Sequence, residues 1–314
     1  VVDAVRVGLL DYLWHAGACG RGAHKGRVFD DAKAARLTAS AAVVGTMTSV
    51  QDVRSRAGGE PLTMLTAYDT PTARIVDDAG IDVILVGDSM GDAVMGYDST
   101  LPVSMADVAS RTGAVARGVA DALVVADMPF LSYGADDAEA VENAGRLLRE
   151  GASAVKIECG PHTVELTDRL VNLGIPVMAH LGFTPQHVNQ FGGYGRRGAT
   201  RGAARELRGL AREHEDAGAF ALVVEHVPAN VAAQITDALS VPTIGIGAGG
   251  ETDGQVLVIT DVLGLSERPP PFAEQFGDVK AEMERSVAAY RDAVEAGDFP
   301  AEEHGHVDEE LDDL

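Results

Sequence analysis

Five polar residues with useful chemistry stand at or just after the ends of short apolar runs: Asp88, Asp127, Glu158, His180 and Glu225. They lie 22 to 45 residues apart in sequence, a separation that a repeating strand–helix unit collapses onto one rim. Taken singly, each has an ordinary structural reading, since a strand-end Asp caps the next helix and a lone His satisfies a core. Five at equivalent places point instead to a site. Three carboxylates around one cavity repel one another unless a proton or a cation relieves them, and hard oxygen ligands suit Mg²⁺ better than zinc. Asp88, Asp127 and Glu158 are therefore the metal candidates. Lys156 precedes Glu158 by two positions, so an extended strand turns both side chains to the same side. Such an ammonium can pair with the acids, hold a substrate carboxylate or face a developing oxyanion.

The elements that must position these residues are legible as alternating patterns. Apolar, β-branched runs over 62–67, 82–87, 123–126, 154–157, 176–179, 221–224, 243–246 and 256–259 read as strands. Helical patterns fall over 71–79, 105–118, 136–150, 163–173, 202–217, 229–239 and 279–296. Runs such as 221–224 are continuously apolar, which fits parallel strands buried on both faces. Eight strands separated by helices predict a (β/α)8 TIM barrel, an α/β fold, with a C-terminal helical extension. The alternative, a doubly wound sheet, lacks its Gly-x-Gly-x-x-Gly turn after the first strand. The eighth unit is the weakest, because 245–254 leaves little room for a helix.

Several longer motifs sit on this frame: Val86-Gly87-Asp88-Ser89-Met90-Gly91, Asp98-Ser99-Thr100-Leu101-Pro102-Val103, Ala126-Asp127-Met128-Pro129-Phe130 and Val155-Lys156-Ile157-Glu158. Further along stand Ala179-His180-Leu181-Gly182-Phe183-Thr184-Pro185-Gln186, Phe191-Gly192-Gly193-Tyr194 and Gly245-Ile246-Gly247-Ala248-Gly249. In this order, from about residue 47 to about 276, the sequence resembles the 3-methyl-2-oxobutanoate (ketopantoate) hydroxymethyltransferases. The resemblance implies transfer of a one-carbon unit from 5,10-methylenetetrahydrofolate to 3-methyl-2-oxobutanoate through a Mg²⁺-stabilised enolate, in pantothenate and coenzyme A biosynthesis. It implies that Asp88 and Asp127 are Mg²⁺ ligands with Glu158 completing the metal site, and that Asp88, Ser89, Asp127 and Lys156 contact the oxoacid. His180 joins the substrate-binding set, and Glu225, in Val224-Glu225-His226-Val227-Pro228, is the proton acceptor. The family carries a small or apolar residue where His226 stands, a departure with no expected chemical consequence. A large homo-oligomer is also implied.

The logic of the residues agrees. A 2-oxoacid can chelate Mg²⁺, which acidifies the adjacent C–H; a metal nearby would keep Glu225 ionised without a raised pKa. Related Mg²⁺ and oxoacid barrels, the phosphonopyruvate mutases and isocitrate-type lyases, share this logic, but the lyases' Lys-Lys-Cys-Gly-His type of loop is absent here. A catalytically dead scaffold would have little reason to keep all five charged residues.

Weaker signals flank the site. Residues 192–202 hold five glycines with Tyr194, Arg196 and Arg197, a composition suited to a mobile lid. Arg201, Arg205, Arg208 and Arg212 form a basic stripe at helical spacing, expected to pair with the protein's own surface or a neighbouring subunit. The glycines of 245–250 are better explained by close packing than by a phosphate cradle.

Composition bounds the rest. The 314 residues carry 25 Lys plus Arg against 48 Asp plus Glu, a formal net charge of −23, which excludes a binder of nucleic-acid phosphates. An acidic surface of this kind suits a cytoplasm of very high salt, where self-repulsion is screened. Two cysteines 140 positions apart argue against a disulfide framework, and no apolar run approaches the roughly 18 residues of a spanning helix. A cytoplasmic enzyme of small molecules, without membrane attachment, is expected. Residues 1–46 hold six cations against four acids and read as a non-native or disordered leader ahead of Met47. The catalytic domain spans 47–300, and residues 301–314, with seven acids and no Lys or Arg, read as a disordered tail.

Overall fold

The computed structural model describes residues 47–307; the leader expected over 1–46 and the last part of the acidic tail, 308–314, lie outside the described residues. Eight parallel strands close into a barrel in chain order: β1 (Leu62–Thr66), β2 (Val83–Val86), β3 (Leu123–Asp127), β4 (Ala154–Glu158), β5 (Val177–Gly182), β6 (Ala221–Glu225), β7 (Thr243–Ile246) and β8 (Gly254–Leu257). β8 pairs back onto β1, with Leu62 opposite Gly254. The expected (β/α)8 barrel is the observed fold.

The strands are buried on both faces, and their alternation sorts side chains into two cores. Val83, Leu85, Leu123, Val125, Ala154, Met178, Ala221 and Val223 fill the barrel interior. Ile84, Val86, Val124, Ala126, Val155, Ala179, Leu222 and Val224 point outward under the helices. This two-residue parity decides where the chemistry goes. Continuing from Val125, Ala154, Met178 and Val223 in steps of two reaches Asp127, Lys156 and Glu158, His180, and Glu225. All five side chains belong to the inward set, at the carboxyl ends of their strands.

Helices α1 (Val50–Arg54), α2 (Thr70–Asp78), α3 (Met90–Ala93), α4 (Met105–Ala116), α5 (Asp137–Glu150), α6 (Val164–Asn172), α7 (Val188–Phe191), α8 (Arg201–Asp216), α9 (Ala229–Thr236), α10 (Ile259–Val262) and α11 (Val279–Ala296) complete the chain. Their starts are chemically marked. Ser104 and Asp107 form a capping box on α4, and the Asp136 carboxylate accepts from the N–H groups of Ala138 and Glu139 at α5.

The eighth strand lies at Gly254–Leu257 rather than 256–259, and, as the short 245–254 stretch leads one to expect, no helix separates it from β7. A side-chain carbon at Gly254 would sit 2.6 Å from the Leu62 carbonyl oxygen, so only glycine lets β8 meet β1. With no helix in this connection, the outer side of β1 and β8 is open as a cleft of about 1080 Å³, lined in part by Leu65, Leu257, Phe272 and Phe276. The C-terminal extension, α11, buries none of its residues and exposes Met283, Val287, Tyr290 and Val294. Glu302–His304 form a single 3-10 turn. Among the described residues no helix is long and apolar enough to cross a membrane.

Candidate active site

The inward parity places an ammonium among acids. Lys156 Nζ lies 2.6 Å from Asp127 Oδ1, both side chains almost fully buried, because Asp127 and Lys156 are direct partners in the β3–β4 register. The other Asp127 oxygen, Oδ2, accepts the backbone N–H of Asp88 at 3.0 Å, which joins the end of β2 to β3. Glu158 is opposite His180 on β5, and its carboxylate accepts the backbone N–H of Gln186 at 3.0 Å. His187 Nδ1 lies 3.4 Å from the same Glu158 oxygen. Three carboxylates thus share a buried cavity with one cation.

Burial raises the pKa of Asp88 well above the usual carboxylate range, and repulsion from Asp127 and Glu158 adds to it. Glu158 is raised likewise, by burial first, with Lys156 opposing. For Lys156 burial pulls downward, but Asp127, Asp88 and Glu158 together override it and hold the ammonium charged.

A second line of contacts leaves Lys156 in the opposite direction. Its Nζ is 3.3 Å from His180 Nδ1, and His180 Nε2 is 3.2 Å from Glu225 Oε2. The His180 pKa is held well below its ordinary value by burial and then by Lys156. A neutral ring that accepts from an ammonium at Nδ1 carries its proton at Nε2, facing Glu225. The Nε2 contact is close in distance but off line as a hydrogen bond. Glu225 itself is pushed up to about 7 by burial, with Lys156 and His226 opposing. The reading in which a nearby metal keeps Glu225 ionised concerns the metal-loaded site; the rise seen here comes from burial of the carboxyl at the end of β6. His226 departs from the sequence reading. Expected to be without consequence, it favours the Glu225 carboxylate electrostatically and packs its ring against Phe183 and Phe272.

The remaining predicted residues are placed as follows. Ser89 is beside Asp88, its Oγ 2.9 Å from Tyr68 Oη. Residues 192–200 follow α7, and Tyr194 stacks at 5.2 Å on Phe183, two-thirds exposed. Gly182 lets β5 approach, since a side-chain carbon there would fall 2.2 Å from the Glu225 carbonyl oxygen. The 245–250 run is close-packed, with Gly249 meeting Ala229. Arg201, Arg205, Arg208 and Arg212 are exposed, and the described residues offer them no ion pair within 4.0 Å.

Sequence reasoning missed Gln186 and Tyr133. The Gln186 amide Nε2 donates to Asp88 Oδ2 at 2.8 Å and to the Met128 carbonyl at 3.0 Å. Its Oε1 accepts from Tyr133 Oη at 2.8 Å. Gln186 stood in a quoted motif, but nothing in its spacing pointed toward Asp88, 98 positions away.

The sequence profile of the ketopantoate hydroxymethyltransferases matches residues 46–302 of this chain. The chain belongs to that family. A ketopantoate hydroxymethyltransferase relative, 3-methyl-2-oxobutanoate hydroxymethyltransferase of Haloarcula marismortui, is 65% identical over 269 residues, covering 85% of this chain and all of its own. The enzyme of the same name from Halobacterium salinarum is 66% identical over 274 residues, with 85% and 100% covered. Among solved structures, a phosphonopyruvate hydrolase complexed with oxalate and Mg²⁺ superposes with a TM-score of 0.53 at 14% identity, covering 84% of this chain and 94% of that one. That likeness is one of fold.

Whether a ketopantoate hydroxymethyltransferase site of this shape fits a divalent cation can be asked of its donors. No three acid, imidazole or thiol groups among the described residues converge as a finished cage. Mg²⁺ does not need one, because it keeps several waters and takes only one or two carboxylates from the protein. The excess of buried negative charge is of the kind a hard cation relieves, and Asp88 Oδ1 accepts no hydrogen bond from the described residues. The donors fit.

Proposed function

We propose that this chain transfers a hydroxymethyl group from 5,10-methylenetetrahydrofolate to 3-methyl-2-oxobutanoate, giving 2-dehydropantoate, at the rim formed by Asp88, Asp127, Lys156, Glu158, His180 and Glu225. The observation that carries this reading is the pair of contacts diverging from Lys156, one to the acid cluster and one through His180 to Glu225. The reaction needs a cation and a carboxylate base close to one another, and His180 is in contact with both Lys156 and Glu225.

Asp88, Asp127 and Glu158 would hold Mg²⁺, which when bound supplies a Lewis acid to the oxoacid's carbonyl and carboxylate oxygens. Ser89 extends the substrate-binding edge beside Asp88. Glu225 takes the proton from C3 of the oxoacid, breaking the C–H bond, while the Lys156 ammonium faces the oxygen on which charge develops. Water cleaves the two C–N bonds that hold the one-carbon unit, its oxygen staying on that carbon as formaldehyde and its two protons going to N5 and N10 of the departing tetrahydrofolate; the enolate carbon C3 then bonds to the formaldehyde carbon, and the proton held on Glu225 passes to the resulting alkoxide oxygen. His180 stays neutral throughout and keeps its Nε2–H toward Glu225. A base with its pKa near 7 serves both directions of this transfer.

The test is direct. Purified protein with Mg²⁺, 3-methyl-2-oxobutanoate and either 5,10-methylenetetrahydrofolate or formaldehyde should yield 2-dehydropantoate by proton NMR. Failure with both donors would overturn the reaction.

Three further readings belong to this proposal. Assembly as a large homo-oligomer is supported by the unburied apolar face of α11 and the open cleft on β1 and β8; a solution mass equal to a single chain would discard it. A cytoplasmic location is supported by the low cysteine content and the free, buried Cys159. A requirement for high salt is supported by the −23 charge. Tm should fall as KCl is lowered from molar to tens of millimolar, because the screening length grows from about 3 Å toward 30 Å. A flat Tm across that range would remove the halophilic reading and leave the chemistry standing.

A further inference from the structure

Gln186 has no part in the proton transfer above, yet it is the residue most densely tied to the acid cluster. It sits on the 3-10 turn Pro185–His187 that follows β5, 6% exposed. Its backbone N–H grips Glu158, and its side-chain amide grips Asp88. A single residue therefore holds two of the three carboxylates, one from the end of β2 and one from β4, at a fixed separation.

The direction of the amide is not free. Tyr133 Oη accepts the backbone N–H of Glu158 at 3.0 Å, and of the two acceptors in reach of its one proton, Gln186 Oε1 at 2.8 Å and the Glu158 carbonyl oxygen at 3.4 Å, the amide oxygen is much the nearer. With Oε1 committed to Tyr133, Nε2 must face Asp88 Oδ2 and the Met128 carbonyl, both acceptors. A flipped amide would set an oxygen against two oxygens and an NH2 group against the hydroxyl proton. The run Glu158 N–H to Tyr133 to Gln186 to Asp88 is thus a one-way chain of donors. It occupies Asp88 Oδ2 with a neutral N–H and leaves Oδ1 available as a ligand.

We propose that Gln186, oriented by Tyr133, is the positioning residue that ties Asp88 to Glu158 and leaves Asp88 Oδ1 available before the cation arrives. The assignment rests on the reading of Asp88, Asp127 and Glu158 as the metal site. A neutral amide suits this role because it adds a donor without offsetting the charge that attracts the cation.

Mn²⁺ titration followed by electron paramagnetic resonance, on the full chain in molar KCl, tests it. Gln186→Leu keeps the volume but releases Asp88, and Mn²⁺ affinity should fall about 10- to 100-fold, the usual cost of losing a partner behind a metal ligand. Tyr133→Phe removes only the orienting hydroxyl and should weaken affinity by roughly two- to tenfold, the worth of one hydrogen bond. It also covers the case in which Gln186→Leu fails to fold. Because Glu225 and Lys156 are untouched, saturating Mn²⁺ should return the C3 proton exchange rate of Tyr133→Phe to the wild-type level; a merely structural lesion would lower that rate at every metal concentration. Asp127→Asn separates the two layers of the argument. Wild-type affinity in both Gln186→Leu and Tyr133→Phe, alongside weakened binding in Asp127→Asn, would overturn the positioning role and leave the metal site intact. Absence of Mn²⁺ binding in the wild-type protein would overturn both.

Discussion

Glu225→Gln will slow exchange of the C3 proton of 3-methyl-2-oxobutanoate with D₂O, in the absence of any one-carbon donor, by about 10²- to 10⁴-fold, the range expected of a positioned general base. The substitution keeps the size of the side chain, and the amide can still face His180 Nε2, which lies 3.2 Å from the carboxylate in the native site. What it removes is the capacity to take a proton. Binding of the oxoacid should be retained, so the loss appears in the rate at saturation rather than in KM. The pH dependence follows from the raised pKa. Burial lifts Glu225 to about 7, so the active, ionised form is depleted as pH falls below that value, and wild-type exchange should decline toward acid. A cation held beside Glu225 moves this limb to lower pH, and Glu225→Gln should show no such limb. Proton NMR follows the exchange directly. Exchange at the wild-type rate in Glu225→Gln would mean that another group is the base, with His180 the next candidate by position.

That the site is largely legible from sequence is a consequence of strand parity. Lys156 and Glu158 are two apart, so they must share a face; because the strand runs are apolar at both parities, it is the closed barrel that shows this face, with Val125, Met178 and Val223, to be the interior one. The barrel then supplies the rest, since the β3–β4 register sets Asp127 beside Lys156. Legibility fails where the backbone leaves the strands. Gln186 reaches Asp88, Met128 and Tyr133 from a 3-10 turn, and no periodicity governs the direction of a side chain on such a turn. The eighth strand begins two residues earlier than the apolar run predicts for a related reason: glycine lowers strand propensity in general, while at Gly254 close approach to Leu62 requires it. The rise in the Glu225 pKa has the same origin, because burial at the end of β6 depends on which loops pack over the rim, and strand periodicity does not encode that.

Lys156→Met tests the charge arrangement on which the rest depends. Three buried carboxylates face one ammonium, and removing it leaves Asp127, Asp88 and Glu158 without their only nearby cation. Methionine preserves most of the apolar stem, so the loss is electrostatic rather than a cavity. Breaking a buried pair by deleting one partner costs about 3–5 kcal/mol, because the surviving charge stays desolvated. In EDTA at neutral pH the variant should therefore unfold at markedly lower denaturant than wild type, and in a separate assay with Mg²⁺ its C3 exchange should be lost while that of wild type is kept. The sign of the pH effect discriminates this cause from simple misfolding. Asp88 and Glu158 already have folded pKa values raised above their unfolded ones, and loss of Lys156 raises them further, since it opposed the rise in both. A group whose folded pKa is raised binds its proton more tightly in the native state, so protonation favours folding. The stability missing from Lys156→Met should thus return in part as pH is lowered from 8 through the native pKa values of these acids, and should be most deficient above them. Denaturant midpoints for wild type and variant, measured across that series, should converge toward acid. A gap that stays constant or widens toward acid would show that the ammonium is not what balances the three carboxylates.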